Sequence, residues 1–278
     1  MNICIIGLGL IGGSMAIDLK KRDFAQKIYG VDANSLHANT AKNIGLVDEI
    51  ATIEEGIAQS DLVILATPVN ASLKLLPLIL DLVENQAVTD VCSTKSGVCE
   101  LVQNHRNRKQ FVAAHPMAGT EYSGPWAAIS NLFDGKAGII CEHDQSSDSA
   151  LAIVEKMYET LNMRTIFMEA RAHDMHAAYV SHISHISSFA LALTVLDKEK
   201  NEKHIFDLAS GGFRSTVRLA KSSEEMWVPI FNENTENVVE VLDTYIDKLQ
   251  KFKEAIASHS NSELTQMIKD ANKIRRII

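Results

Sequence analysis

Two groups of side chains in this sequence have both the type and the setting for chemistry. The first centres on His115, which follows the apolar run Phe111–Ala114 and precedes Pro116 and a small-residue turn, Met117-Ala118-Gly119. Histidine changes charge near neutral pH, so an imidazole there can take a hydroxyl proton while the carbon bearing that hydroxyl is oxidised. Ser93 and Lys95 follow another strand-like run, Ala87–Cys92. Ser93 is placed to orient the His115 imidazole or to bond a substrate hydroxyl. Lys95 can serve a cofactor or a carboxylate, or stand in solvent. The second group is Gly211-Gly212-Phe213-Arg214-Ser215-Thr216-Val217-Arg218, two arginines at a glycine-rich helix entry. Arginine grips carboxylates at two points, which makes this the best anion clamp in the C-terminal part. The alternative is surface pairing of an arginine with Glu224 or Glu225.

A helical stretch from His173 to Leu196 carries His173, His176, His182 and His185. At about 100° per residue the first two and the last two fall on different faces, so the four cannot converge on one metal. His182 and His185 share a face in a small, apolar setting, SHISHISS, and no acid stands beside them. They read as hydrogen-bonding residues of a site or as core histidines, and no metal is expected. Trp227, nine residues after Arg218, reads as core more readily than as a pocket wall.

Oxidation needs an electron acceptor, and the N-terminus supplies a place for one. Asn2–Ile6 is a short apolar strand, Gly7-Leu8-Gly9-Leu10-Ile11-Gly12 follows without a gap, and helical spacing continues through Lys20. In such a turn the first glycine permits the tight bend, the second admits a pyrophosphate, and the third lets helix and strand pack closely. The helix N-terminus offers free N–H groups to the phosphates. Asp32 ends the next strand, Ile28–Val31, where its carboxylate can bond an adenosine ribose. It would repel a 2′-phosphate, and Ala33 and Asn34 offer no arginine to hold one, so NAD is expected over NADP.

The elements needed to bring these residues together are legible. Strand signals at Asp61–Ala66, Ala87–Cys92, Phe111–Ala114, Lys136–Cys141 and Arg164–Met168 alternate with helical ones at Ser35–Ile44, Asn70–Leu82 and Ser147–Leu161. That alternation predicts an α/β fold, a Rossmann-type doubly wound, mostly parallel sheet. Ligands in such sheets lie beyond the carboxyl ends of the strands, where Thr67-Pro68, Ser93 and His115 all fall. From residue 169 the signals are helical only, near Phe206–Leu208, Glu224–Leu249 and Ser262–Ile277, with breaks at Asp197–Lys203 and Gly211-Gly212. The expected domains are residues 1–168, binding the dinucleotide, and 169–278, helical, for substrate and dimerisation.

The 278 residues are 46% apolar and 22% charged, as in a soluble globular protein, and the net charge of −8 excludes a general nucleic-acid binder. Four cysteines in no paired pattern read as reduced thiols in a cytoplasmic protein. The apolar start lacks the basic residues of a secretion signal, and no apolar run approaches the length of a membrane span.

GLGLIGGS, ATPV at Ala66–Val69, DVCSTKSG at Asp90–Gly97 and HPMAGTEYSG at His115–Gly124 occur in order, followed by SHISH and by GGFRSTVRLAKSSEEMW at Gly211–Trp227. Together they resemble the prephenate/arogenate dehydrogenase family over essentially the whole chain. The resemblance implies NAD-dependent oxidative decarboxylation of prephenate to 4-hydroxyphenylpyruvate, with release of CO2 and NADH, in tyrosine biosynthesis. It casts His115 as the group that draws the ring hydroxyl proton, assisted by Ser93, and Arg218 as the holder of a substrate carboxylate. It also implies that His182, His185, Thr120, Glu121, Gly211 and Trp227 bound the substrate pocket. Gly7, Gly9, Leu10, Ile11, Gly12, Asp32, Thr67, Pro68 and Ser93 would hold NAD, and the helical domain would form a homodimer. One departure concerns the clamp: many members have an acidic residue and then threonine before the arginine, where this chain has Ser215, Thr216 and Val217. Arg214 is the fallback. No regulatory or chorismate mutase domain is expected, so tyrosine inhibition would act at the active site itself. An arogenate dehydrogenase is the nearest alternative. A hydroxyacid dehydrogenase with a catalytic lysine fits poorly, because the long helix has none before Lys198. A non-catalytic dinucleotide-binding module would show a broken His115 or Ser93 position, and neither is broken.

Overall fold

The computed structural model describes residues 1–200 and 204–277 and divides into two compact units, Met1–Asn234 and Thr235–Ile278. In the first, eight strands form one sheet: β1 (Asn2–Ile6), β2 (Lys27–Val31), β3 (Glu49–Ile50), β4 (Leu62–Leu65), β5 (Ala87–Asp90), β6 (Phe111–Pro116), β7 (Ala137–Cys141) and β8 (Arg164–Met168). Their spatial order is β3-β2-β1-β4-β5-β6-β7-β8, and among the described residues only the β6–β7 pair is antiparallel. The doubly wound, mostly parallel sheet is therefore present. Its order reverses between β1 and β4, the switch point at which ligands enter such sheets.

The helices of this unit are α1 (Leu10–Lys21), α2 (Ser35–Asn43), α3 (Ile53–Ala58), α4 (Val69–Leu82), α5 (Ser96–Val102), α6 (Asp148–Thr160), α7 (Ala170–Ala177), α8 (Ile183–Glu199), α9 (Gly211–Thr216) and α10 (Glu224–Glu233). Strand side chains alternate between faces, and the core follows that period. Ile3, Ile5, Leu62 and Ile64 pack with Met15 and Leu19 of α1 and Val154 and Met157 of α6. Cys4, Ile6, Val63 and Leu65 pack on the other face with Leu76, Ile79 and Leu80 of α4 and Val98 and Val102 of α5. The second unit consists of α11 (Thr235–Ala257) and α12 (Asn261–Ala271), joined by a turn in which His259 has φ +53°.

Several elements differ from the reading of the sequence. The strand expected over Phe111–Ala114 runs on through His115 and Pro116, because β7 pairs with both. β3, α3 and α5 were too short to show a period; α3 is nonetheless closed by a capping box between Thr52 and Glu55. The single helix expected over Glu224–Leu249 is two, parted at Asn234. The break expected over Asp197–Lys203 begins later, since α8 holds through Glu199, and its end at residues 201–203 lies outside the described residues.

The long histidine-bearing helix departs most. Between α7 and α8, Ala178–His182 is wound as a π-helix, whose extra residue per turn rephases everything after it. The continuous segment Ala170–Glu199 is also long and apolar enough to cross a membrane by length and composition, although polar residues interrupt it. Within this unit, however, its polar residues His173 and Asp174 are bonded to the sheet edge.

Candidate active site

The turn between β1 and α1 is shaped by its glycines. Gly7 has φ +101°, a conformation L side chains rarely adopt, and a Cβ there would stand 2.4 Å from the Ala66 carbonyl oxygen. A Cβ on Gly12 would stand 2.1 Å from the Gly7 carbonyl oxygen. At Gly9, the N-cap of α1, a Cβ would meet nothing within 4 Å. The backbone is thus packed at two glycines and open at the third, beside the unpaired N–H groups that begin α1. A dinucleotide pyrophosphate fits that combination. The Asp32 carboxylate accepts from Leu8 N–H at 2.9 Å and from Asn34 N–H at 2.8 Å, so the turn itself orients the ribose-binding acid. Thr67 and Pro68 lead from β4 into α4, with Thr67 Oγ1 held 2.8 Å from Ser72 Oγ.

His115 lies on the same edge, two strands from β4, and is 8% exposed. Burial pushes its pKa well below the ordinary histidine value, helped by His173, Lys95 and His182 nearby, so the ring is a neutral base. Its Nδ1 lies 2.8 Å from His173 Nε2, and His173 Nδ1 lies 2.8 Å from Asp174 Oδ1. Among the described residues no hydrogen bond joins Ser93 to His115. The His115 ring is bonded to His173 instead, and Ser93 stands half-buried at the carboxyl end of β5. His173 was visible in the sequence only as one of four helical histidines, and the adjacent Asp174 was the unused signal.

Lys95 is fully buried rather than solvated. Its ammonium pairs with Asp90 and donates to the Ala114 carbonyl at 2.7 Å, one residue before His115. Burial alone would lower its pKa, but the Asp90 carboxylate outweighs that and holds it raised. Asp90 also accepts from Ala114 N–H at 3.0 Å. Lys95 thus fixes the backbone under His115 and is not free for a cofactor or substrate.

A second cluster forms the rim. Arg218 donates to Glu121 at 2.7 Å, not to Glu224 or Glu225, with their side chains 50% and 13% exposed. The N–H of Glu121 itself, and then that pairing, hold the carboxyl below its usual range. Thr120 sits beside it, accepting from Tyr122 N–H at 3.2 Å. His185 stacks on Trp227 with ring centroids 3.6 Å apart, and burial, with Arg218 nearby, lowers its pKa. Gly211 and Arg214 are exposed on α9. Two residues that the resemblance places at the pocket are buried, in keeping with the core reading the sequence also allowed. His182 is 1% exposed, with its Nδ1 3.2 Å from Asn234 Nδ2, because the π-helical turn carries it inward. Trp227 is 5% exposed and belongs to the core, supporting His185 from behind.

Comparison with known proteins bears on the same residues. Residues 15–167 match the nucleotide-binding domain of prephenate dehydrogenase, and residues 169–270 match the prephenate dehydrogenase dimerization domain. The prephenate dehydrogenase of Lactococcus lactis subsp. cremoris is 31% identical over 279 residues, covering 99% of this chain and 77% of that protein. The cyclohexadienyl dehydrogenase of Zymomonas mobilis is 31% identical over 99% of this chain and 94% of its own length. A crystal structure of prephenate dehydrogenase from A. aeolicus in complex with hydroxyphenyl propionate and NAD+ superposes with a TM-score of 0.86 at 33% identity, covering 100% of this chain and 97% of that one. A glycine cradle, a buried neutral histidine and an arginine-bearing rim on one sheet edge, with this likeness along the full length, place the chain in the prephenate dehydrogenase family.

Proposed function

We propose that this chain catalyses the NAD-dependent oxidative decarboxylation of prephenate to 4-hydroxyphenylpyruvate, with His115 as its proton-transferring residue. The observation that carries the reading is the state of His115: buried, neutral, tethered through Nδ1 and, among the described residues, without a partner at Nε2. NAD bound at the Gly7–Gly12 turn, with Asp32 on its ribose and Thr67 and Pro68 alongside, supplies the hydride acceptor. His115 Nε2 takes the proton of the ring C4 hydroxyl as that carbon is oxidised, and Ser93 bonds the same oxygen. Collapse of the ring to an aromatic phenol expels its C1 carboxylate as CO2 without a separate catalyst. The overall reaction releases no net proton, so His115 returns its own to the phenol oxygen.

Arg218 is the carboxylate holder in this reading, with His185, Thr120, Glu121 and Gly211 around the pocket. Residues 1–168 serve the cofactor, and residues 169–278 the substrate and a homodimer. The dimer is supported by the dimerization-domain match and by apolar side chains left exposed along the long helix, among them Val180 and Leu193. Four free, buried cysteines suit a reducing cytoplasm.

NADH formation by the purified protein, with prephenate and arogenate supplied in parallel, tests the substrate. Turnover of prephenate is the expected result. Preference for arogenate would keep the mechanism and move the substrate; no NADH from either would overturn the reading.

A further inference from the structure

The hydrogen bonds behind His115 run in one direction. A carboxylate can only accept, so Asp174 Oδ1 requires His173 Nδ1 to carry a hydrogen. With His173 neutral, its Nε2 is then a lone pair, and the 2.8 Å contact to His115 Nδ1 requires a hydrogen on His115. A neutral His115 so constrained has its remaining lone pair on Nε2. Among the described residues that atom has no hydrogen-bond partner, yet it is not sealed from solvent. We propose that the pair His173–Asp174 is a positioning device that sets the tautomer of His115, keeping Nε2 unprotonated toward the substrate hydroxyl.

The device is anchored at both ends. Asp174 accepts from Lys95 N–H at 2.7 Å and Ser96 N–H at 2.8 Å, in the segment that follows β5 and carries Ser93. Asn234 Nδ2 donates to the Asp174 carbonyl at 2.7 Å. Despite burial, the bonds to His173 and Ser96 keep the Asp174 carboxyl below its ordinary range, so it remains an acceptor. Other titratable groups near these three residues are Lys95, held by Asp90, His182, whose burial lowers its pKa to about 4, and the buried Tyr158 and Cys141. Among the described residues none of these side chains is hydrogen-bonded to the Asp174 carboxylate, whose partners are His173 and the N–H groups of Lys95 and Ser96. When His115 takes a proton it becomes an imidazolium donating into a neutral acceptor that is itself backed by a carboxylate. The same geometry thus selects the base and steadies its conjugate acid.

The device rests on His115 being the proton acceptor of the proposed reaction, but its first readout needs no substrate. In the full chain without ligand, the ring nitrogen-15 signals of His115, identified by their loss in His115→Asn, should show a protonated Nδ1 and a bare Nε2. Free histidine prefers the opposite, so a protonated Nε2 in His115 would overturn the proposal whether or not prephenate is turned over. Catalysis gives the second readout. His173→Leu, which removes the acceptor, should cut kcat by about 10²-fold, as for loss of a correctly presented base, with KM for NAD and prephenate changed less than about threefold. His173→Gln, whose amide oxygen can take the place of the His173 Nε2 lone pair, should recover at least about tenfold of that loss. Equal impairment of the two variants, or an unchanged kcat in His173→Leu, would overturn it. Should neither variant fold, the ring signals of the parent protein decide.

Discussion

The buried ensemble around His115 and the rim around Arg218 are linked through β6, which carries His115 and leads to Glu121, and use polar side chains in opposite ways. Behind His115, each charged group is held by several partners: Asp174 by His173 and two backbone N–H groups, Asp90 by Lys95 and two more. Partners in such number are needed because a buried charge left unpaired is expensive. They also leave the imidazole one orientation. Arg218, by contrast, has one described partner, Glu121, and half of its side chain in solvent. The interior therefore presents a base of fixed geometry, and the rim an arginine that can exchange a protein carboxylate for a substrate one at small cost.

Substitutions that strike the two regions separately should differ in kind. The largest effect on rate is expected from His115→Asn, which removes the base and leaves the glycine cradle untouched. Turnover should fall by ~10²–10⁴-fold, while NAD binding, followed by quenching of intrinsic fluorescence, stays nearly as tight. Unchanged turnover would remove His115 from the mechanism. The largest effect on stability is expected from Lys95→Met, which keeps the volume but strands the Asp90 carboxylate. Breaking a buried pair from one side costs ~3–5 kcal/mol, read from the urea midpoint at constant slope. Activity should fall with it, because Ala114, bonded to both partners, leads directly into His115. A shift below about 1 kcal/mol would show that water reaches Asp90 and that the interior is not as closed as its contacts imply.

How much of this was legible follows the range of each interaction. The glycine turn could be read because its demands are local: a bend at Gly7, an opening at Gly9, a close approach at Gly12, and Asp32 one strand later. The position of His115 could be read because the carboxyl end of a strand is a place in the fold as well as in the chain. Its partner could not, since His173 stands 58 residues away. The π-helical turn after α7 breaks the 100° phase from which the faces of the four histidines had been deduced. Burial of Lys95 was hidden for a related reason: a lysine after a strand reads as exposed until Asp90, five residues before it, is seen to turn inward. Residues that bind through backbone shape show in a sequence, whereas those that act through a second side chain need the fold.

Arg218→Ala gives the smallest expected effect and the sharpest test of the rim. The guanidinium is half exposed, so its loss should leave the melting temperature nearly unchanged. A charge-assisted bond to a substrate carboxylate is worth roughly 1.5–3 kcal/mol, or about ten- to a hundredfold in affinity. KM for prephenate should therefore rise by about that factor, with kcat nearly constant, because the carboxylate being held is present in ground and transition states alike. Arg214→Ala, four residues earlier and also exposed, is the control. If Arg214→Ala raises KM and Arg218→Ala does not, the clamp belongs to Arg214, and the Arg218–Glu121 pair merely closes the loop over the site. A fall in kcat as large as that in KM would instead tie the arginine to the transition state and erase the distinction between an interior that presents the base and a rim that only holds the substrate.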